Sequence, residues 1–302
     1  MNAPQSVTCL VCAAAEAPHW FTYDSSFDGR SYDIRKCSVC KSGFAWPVPS
    51  ARYLADFYAG EAATSSNAEP GCAEDRMAAM VAEQERFPNA LRDAKRMAER
   101  MRFYATGDRL LDVGAGRGLF SRAAAQEGFE VSAVEYSQQA REVYALVNGF
   151  DAMEGGLTPE FAQRNEGRFD VVLLSQVLEH LPLTEDPVAM ISRLLAPGGV
   201  AAIAVPHLGG LVSRVQGKRD MFIYPPEHIN YFSLAGLDRL FARAGFTKLE
   251  TRTVSHVDSD KFRNRLRPAP LGVLAVAGMK ASFALADHAD MGQIIQAHYR
   301  KG

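Results

Sequence analysis

The pattern of hydrophobic and polar positions changes its period repeatedly from residue 109 onward. Short apolar runs alternate with stretches in which apolar residues recur every three or four positions. This alternation is typical of a parallel sheet with helices on both faces, and it predicts a doubly wound α/β fold. The predicted strands cover residues 109–113, 130–134, 151–153, 169–174, 200–205, 248–254 and 293–299. The predicted helices cover residues 118–127, 137–148, 185–195 and 233–244, and the third should end at Pro197-Gly198-Gly199.

The part of the chain before residue 109 follows a different pattern. Residues 1–50 combine turn-forming residues with aromatics and lack a helical period, which predicts a small loop-rich module. Residues 51–108 are expected to form a linker and a helical lead-in, with helices at 51–58 and at about 74–102, the latter interrupted at Pro88. The main domain then covers residues 109–302 and carries two long insertions, at 206–232 and 255–290.

Composition narrows the classes of function. The 302 residues are 47% hydrophobic and 23% charged, which is typical of a folded globular protein. The formal net charge of -2 argues against a nucleic-acid partner, because affinity for phosphate backbones comes mainly from lysine and arginine. The first residues lack a secretory signal pattern, and the apolar stretch 271–279 is shorter than the roughly 20 residues that cross a bilayer. We therefore expect a cytoplasmic protein, and the sequence leaves its oligomeric state open.

Four of the five cysteines form two Cys-x-x-Cys pairs, which are Cys9 with Cys12 and Cys37 with Cys40. Two such pairs supply the four thiolates that tetrahedral zinc prefers. The segment between them predicts a hairpin with Asp28-Gly29 in its turn, which would bring the pairs together. Because thiolates would fill all four positions, we expect a zinc ribbon with a structural ion; unmetallated thiols are the alternative.

The sequence LLDVGAGRG at 110–118 predicts a ligand-binding loop. Gly114, Gly116 and Gly118 follow an apolar strand and precede a helix, where backbone without side chains can approach a ligand closely. A dinucleotide site would place a further glycine where Leu119 stands, which counts against an NAD enzyme. Asp112 could hold a positively charged amino group, and Glu135 could accept hydrogen bonds from ribose hydroxyls. Together they predict an adenosine cofactor with an amino-acid end.

Three further motifs follow the glycine loop in order, namely VEYS at 134–137, FDVVLLSQVLEHL at 169–181 and LLAPGGVAAIAVP at 194–206. With that loop, they resemble the motifs of the class I S-adenosylmethionine-dependent methyltransferases, over roughly residues 80–302. The resemblance implies a Rossmann-like, doubly wound sheet of seven strands, mostly parallel with an antiparallel last strand, and it implies S-adenosylmethionine as cofactor.

The resemblance also implies positions for the two ends of the cofactor. Ser175 and Gln176, at the end of the fourth strand, would line its methionine part. Gly156 and Leu157 would lie near the adenine, although the segment MEGGLTPEF departs from the family's acidic pattern there.

Three histidines are candidates for a general base. His180 follows the fourth strand, and His228 lies in YPPEHINYFS, a loop that should cover the acceptor pocket. A buried structural histidine is the alternative for each. His207 is the next candidate, although its position could equally be an exposed turn. The insertion 255–290 should help to shape the acceptor site, and its basic and apolar runs favour packing on the core over docking on a membrane or a lipid-linked substrate.

Two functions of different class follow from these features. The first is methyl transfer to an oxygen or carbon of a small acceptor. A ribbon followed by FAWPVPS and a methyltransferase domain resembles bacterial proteins that act on sugars or other small metabolites, so a sugar or sugar nucleotide is one candidate acceptor. The second is an interaction or regulatory protein whose ribbon is the working part and whose Rossmann-like domain senses a cofactor. The complete glycine loop favours the first function.

Overall fold

The computed structural model describes residues 7–59, 88–255 and 269–302, and it contains two sheets. The small sheet consists of β1 (His19–Asp24), β2 (Ser31–Lys36), β3 (Gly43–Trp46) and β9 (Asn230–Tyr231). The large sheet consists of β4 (Arg109–Val113), β5 (Glu130–Glu135), β6 (Met153–Glu154), β7 (Phe169–Ser175), β8 (Leu195–Pro206), β10 (Phe246–Val254) and β11 (Ile294–Lys301). The helices are α1 (Ala51–Ala59), α2 (Pro88–Tyr104), α3 (Leu119–Gln126), α4 (Gln138–Asn148), α5 (Pro159–Arg164), α6 (Pro187–Leu194), α7 (Leu211–Gln216), α8 (Leu234–Arg243) and α9 (Ala269–His288).

The large sheet has the strand order β10-β11-β8-β7-β4-β5-β6. Strands β8, β7, β4, β5 and β6 run parallel to one another. Strand β11 is antiparallel to both β8 and β10. The predicted Rossmann-like sheet of seven strands, mostly parallel with an antiparallel last strand, is therefore confirmed. Its order reverses beside β4, and ligands of open α/β sheets bind at the carboxyl ends of the strands at such a point.

Both faces of the large sheet are covered. Along β4, Leu110 packs into one hydrophobic cluster with residues of α2 and α3, while Leu111 and Val113 pack into the other. The second cluster also contains Phe241 of α8 and the ribbon residue Phe44. Because side chains alternate along a strand, a sheet buried on both faces produces the continuous apolar runs seen in the sequence.

Two predicted boundaries in the large sheet are wrong. The helix predicted at 185–195 ends at Leu194, because Leu195 adopts an extended backbone and pairs with Phe169. Pro197-Gly198-Gly199 therefore lies inside β8, where the pairing is irregular until Val200. The strand predicted at 151–153 is reduced to Met153–Glu154, an edge strand that pairs only with the end of β5 among the described residues.

The helical lead-in and the second insertion are described only in part. Residues 74–87 of the helix predicted at 74–102 lie outside the described residues, as do residues 256–268 of the insertion. The remainder of the insertion contains α9, where the Asp287 carboxylate accepts hydrogen bonds from the Ser255 backbone N–H and hydroxyl. Among the described helices, none is both long and apolar enough to cross a membrane.

The small sheet joins the N-terminal module to the main domain. Strands β1 and β2 form the predicted hairpin around Asp28-Gly29, and β3 continues the sheet. Its fourth strand, β9, comes from the insertion at 206–232 and pairs with β3 through Gly43 and Phe44. The sequence pattern did not predict β9, because two residues carry no period.

Candidate active site and metal centre

The glycine loop lies between β4 and α3 and is tied to the end of β5. The backbone N–H groups of Gly114 and Ala115 donate to the Val134 carbonyl, at 2.9 and 3.1 Å. Gly116 has φ of +53°, and a Cβ added there would meet no atom within 4 Å. A Cβ on Gly114 would instead come within 2.6 Å of Val177. Gly116 is therefore the glycine at which the structure leaves room for a ligand, whereas Gly114 is needed for packing.

Glu135 ends β5 and holds the loop through its carboxylate. Its Oε2 accepts a hydrogen bond from the Gly116 N–H at 2.9 Å, and its Oε1 accepts one from the Ser137 N–H at 2.8 Å. Each carboxylate oxygen has a second lone pair, so both can still accept from a ligand's hydroxyl groups. The arrangement fits the predicted ribose contact, which stays a prediction.

Asp112 is more deeply buried than its predicted role suggests. Its side chain is 1% exposed, and its Oδ2 accepts a hydrogen bond from the Ser121 hydroxyl at 2.7 Å. Burial raises the pKa of Asp112 to about 7, and the hydrogen bond from Ser121 opposes this shift. This hydrogen bond links the Asp112 carboxylate to the first turn of α3, next to the glycine loop. Its contact with a cofactor's amino group stays a prediction.

The other predicted cofactor residues follow β6 and β7 at the same edge of the sheet. Gly156 lies against the Tyr136 ring, and the side chain of Leu157 is packed in the core at 8% exposed. Ser175 ends β7, and Gln176 follows with φ of +58° and donates its N–H to the Ala204 carbonyl at 2.8 Å. The structure brings these segments together with the glycine loop; their contacts with a cofactor stay predictions.

His180 and His228 meet above this edge, with ring centroids 4.7 Å apart. The Nδ1 of His180 donates to the Glu227 carbonyl at 2.7 Å, and the Nδ1 of His228 donates to the Phe222 carbonyl at 3.0 Å. Burial lowers the pKa of His180 to about 4, although the Glu227 and Gln176 carbonyls act in the opposite direction. Burial also lowers the pKa of His228 to about 2, and the charge of His180 adds to this decrease. Both rings are neutral near pH 7, and protonating either is unfavourable.

Sequence reasoning assigned no role to Glu179, which lies beside these histidines. Its side chain is 0% exposed, and neither carboxylate oxygen has a hydrogen-bond partner among the described residues. Burial raises the pKa of Glu179 to about 8. The only signal in the sequence was a carboxylate inside the apolar run VLLSQVLEHL, where an acidic side chain must either be paired or lose its charge.

The four ribbon cysteines converge as predicted. Their sulfur atoms all lie within 4.8 Å of one another, with Cys9 Sγ 3.8 Å from Cys40 Sγ and Cys12 Sγ 3.7 Å from Cys37 Sγ. The backbone N–H groups of Val39 and Cys40 donate to the Cys37 sulfur, at 3.3 and 3.5 Å. These thiols are not joined as disulfides, since an S–S bond is about 2.05 Å long.

A family model described as a methyltransferase domain matches residues 71–251, which is more than half of the chain. The chain belongs to this methyltransferase family. Together with the seven-stranded sheet, the match identifies a class I S-adenosylmethionine-dependent methyltransferase. It decides against an NAD enzyme and against a protein in which the ribbon alone is the working part.

Curated relatives of this methyltransferase match part of its length. A ubiquinone biosynthesis O-methyltransferase from Azoarcus sp. (strain BH72) is 31% identical over 164 residues, which are 47% of this chain and 68% of the relative. One from Caulobacter sp. (strain K31) is 37% identical over 102 residues, which are 32% of this chain and 40% of the relative.

Solved structures support the fold of the methyltransferase. A SAM-dependent methyltransferase from Archaeoglobus fulgidus is 16% identical, with a TM-score of 0.52, over 74% of this chain and 99% of the other. A 1,6-didemethyltoxoflavin-N1-methyltransferase from Burkholderia thailandensis, solved with S-adenosylhomocysteine, is 18% identical, with a TM-score of 0.50, over 91% and 96% of the two chains.

His207 is not in an exposed turn of the methyltransferase. It is 5% exposed, its Nδ1 donates to the Gly292 carbonyl at 3.0 Å, and its backbone pairs with Phe232. Burial lowers the pKa of His207. These contacts give His207 a structural role, joining β8 to the start of β11 and to the loop that carries His228.

Proposed function

We propose that this methyltransferase transfers the methyl group of S-adenosylmethionine to a hydroxyl oxygen of a small acceptor. The observation that carries the proposal is the convergence of the cofactor loop, Glu135, and the loop bearing His228 at one edge of the sheet. Oxygen is chosen over carbon because the relatives described above are named O-methyltransferases. Their names refer to ubiquinone biosynthesis, so the sugar acceptor considered above gains no support from them.

Under this proposal, the residues of the chain bind and align the reactants. Glu135 and Gly116 would hold the adenosine end, and Ser175 and Gln176 the methionine end. S-adenosylmethionine supplies a methyl group on a positively charged sulfur. The acceptor oxygen forms a bond to the methyl carbon as the carbon–sulfur bond breaks, and the bonding electron pair stays on sulfur. Such a displacement needs the reacting atoms about 3–3.5 Å apart and in line.

The hydroxyl proton must leave the acceptor during this reaction. His228 and His180 are the candidate bases, but burial of both rings lowers their pKa values and makes each a weak base. A base acts best when its pKa is near the working pH, whereas these two pKa values lie near 2 and 4. Replacement His228→Ala should spare cofactor binding and reduce turnover; unchanged turnover would remove His228 from the mechanism.

Two measurements test the proposed function. Calorimetric titration with S-adenosylhomocysteine should show one site per chain, and absence of binding by folded protein would overturn the proposal. The purified enzyme should also transfer labelled methyl groups from S-adenosylmethionine to small molecules of a cell extract. Products methylated on oxygen release iodomethane when heated with hydriodic acid, whereas a label that stays on carbon would refute O-methylation.

We further propose that Cys9, Cys12, Cys37 and Cys40 hold a structural zinc ion. Tetrahedral zinc with Zn–S bonds of about 2.3 Å places its sulfur ligands ~3.8 Å apart, and two of the sulfur pairs lie at 3.8 and 3.7 Å. The full thiolate set leaves no position for a substrate. Metal analysis should find one zinc per chain in the wild type and a loss in Cys37→Ser; equal zinc content would reject the ribbon.

A further inference from the structure

The buried carboxyl group of Glu179 lacks a stabilising partner among the described residues. The group is fully buried, and neither of its oxygens has a hydrogen-bond partner in the part of the chain that the structure describes. A buried carboxylate without a partner is so unfavourable that it usually takes up a proton or pairs with a cation. Its own backbone is firmly placed, because the Ile229 N–H donates to the Glu179 carbonyl at 2.9 Å. The side chain is thus held in a site that favours a positive charge.

The two histidines present suitable atoms to that site. Each ring uses Nδ1–H to donate to a backbone carbonyl. In His228 this fixes the tautomer in which Nε2 accepts a hydrogen bond, which comes from the Tyr224 hydroxyl. The His180 ring also contacts the Gln176 carbonyl, and metal binding would replace that contact. Metal-binding histidines are oriented in this way, since a hydrogen bond at one ring nitrogen directs the other toward the ion.

The carboxylate and the two rings lie close together. One ligand atom from each of Glu179, His180 and His228 lies within 4.8 Å of the other two. We propose that these three residues bind one divalent first-row transition-metal ion. The ion would neutralise the Glu179 carboxylate and take one ring nitrogen of each histidine as a ligand.

The donor set selects the kind of metal. Imidazole nitrogen favours zinc, copper, iron and nickel ions, carboxylate oxygen also suits manganese, and magnesium prefers a shell of oxygen atoms. Two histidines and one carboxylate fill three positions and leave others open, as in catalytic metal sites. The site therefore differs from the ribbon, where four sulfur atoms would close the coordination.

An open metal position here would face the acceptor side of the sheet. This second step rests on the proposed function: an acceptor hydroxyl bound to the metal would lose its proton more easily, and the proton would pass to water. Tyr224 must then change its partner, because its hydroxyl donates to the Nε2 of His228 at 2.8 Å. Metal binding would replace that hydrogen bond.

Manganese is the probe for this site, because the thiolate ribbon favours zinc over manganese. Protein that holds one zinc ion per chain, with weakly bound zinc removed by dialysis, is titrated with Mn²⁺, and the decline of the free-ion electron paramagnetic resonance signal measures binding. We expect one bound Mn²⁺ per chain. In Glu179→Gln and His228→Ala, the dissociation constant should rise at least ten-fold, while zinc content and S-adenosylhomocysteine binding stay at wild-type values.

Glu227→Gln is the matched control, since it neutralises an acidic side chain of the neighbouring loop outside the three-residue cluster. It should bind Mn²⁺ within two-fold of the wild type. The metal site is refuted if the wild type binds no Mn²⁺, if Glu179→Gln binds it equally well, or if Glu227→Gln loses it to the same extent. Loss of S-adenosylhomocysteine binding with intact Mn²⁺ binding would instead overturn the proposed function alone.

Discussion

Replacement of Glu135 by alanine tests whether the carboxylate at the end of β5 holds the cofactor. In the structure its two oxygens accept hydrogen bonds from Gly116 and Ser137, and each keeps a lone pair for a ribose hydroxyl. A hydrogen bond to a charged group contributes about 1.5–3 kcal/mol. Losing two such bonds to the ribose would cost about 3–6 kcal/mol, which is about 10²- to 10⁴-fold in the dissociation constant.

The assay is calorimetric titration of Glu135→Ala with S-adenosylhomocysteine. Glu130→Ala is the control, because Glu130 is exposed and lies at the opposite end of the same strand. We expect the control to bind within two-fold of the wild type. A dissociation constant of Glu135→Ala within three-fold of the wild-type value, with an unchanged circular dichroism spectrum, would show that the carboxylate does not contact the cofactor.

Two further predictions concern stability. Gly118 and Gly128 both have φ of +84°, but only at Gly118 would an added Cβ meet neighbours, among them Tyr144 at 2.7 Å. Both substitutions share the backbone strain, but Gly118→Ala adds overpacking and should lower the free energy of unfolding by about 1–3 kcal/mol more than Gly128→Ala. Its melting temperature should therefore be the lower of the two, and equal losses would contradict this packing. The pKa of Asp112 is raised from 3.8 to about 7, so the folded state binds more protons between these values and stability should fall as pH rises through this window. Asp112→Asn should make the melting temperature less sensitive to pH there, and an unchanged slope would mean that Asp112 ionises normally.

The parallel sheet and the cofactor loop could be predicted because their signals are local. The glycines at 114, 116 and 118 and the apolar runs around them are contiguous in sequence, and the conformation of each depends mainly on its neighbours. The helix capped by Ser233 was likewise predicted within one residue at each end, since capping is set by the first turn.

The environment of the acidic residues depends on contacts between distant segments. Glu179 is enclosed because Ile229, fifty residues later, bonds to its backbone, and no local pattern reports that contact. The sequence places Asp112 beside the cofactor loop but does not show that the Ser121 hydroxyl of the next helix donates to its Oδ2. Sequence therefore located the carboxyl ends of β4, β5, β7 and β8 within one residue, whereas the environment of each side chain required the tertiary structure.

The pairing of β3 with β9 has a consequence for how the chain folds during synthesis. Ser42 and Ser233, which lie at this junction, are hydrogen-bonded across a sequence separation of 191 residues. Contacts of such high contact order form slowly, because the intervening loop must first be closed. Until the ribosome has delivered β9, the edge of β3 stays unpaired, and an unpaired edge can recruit a strand from another molecule. The N-terminal module is thus completed by a late part of the nascent chain, and truncated products would expose an aggregation-prone edge.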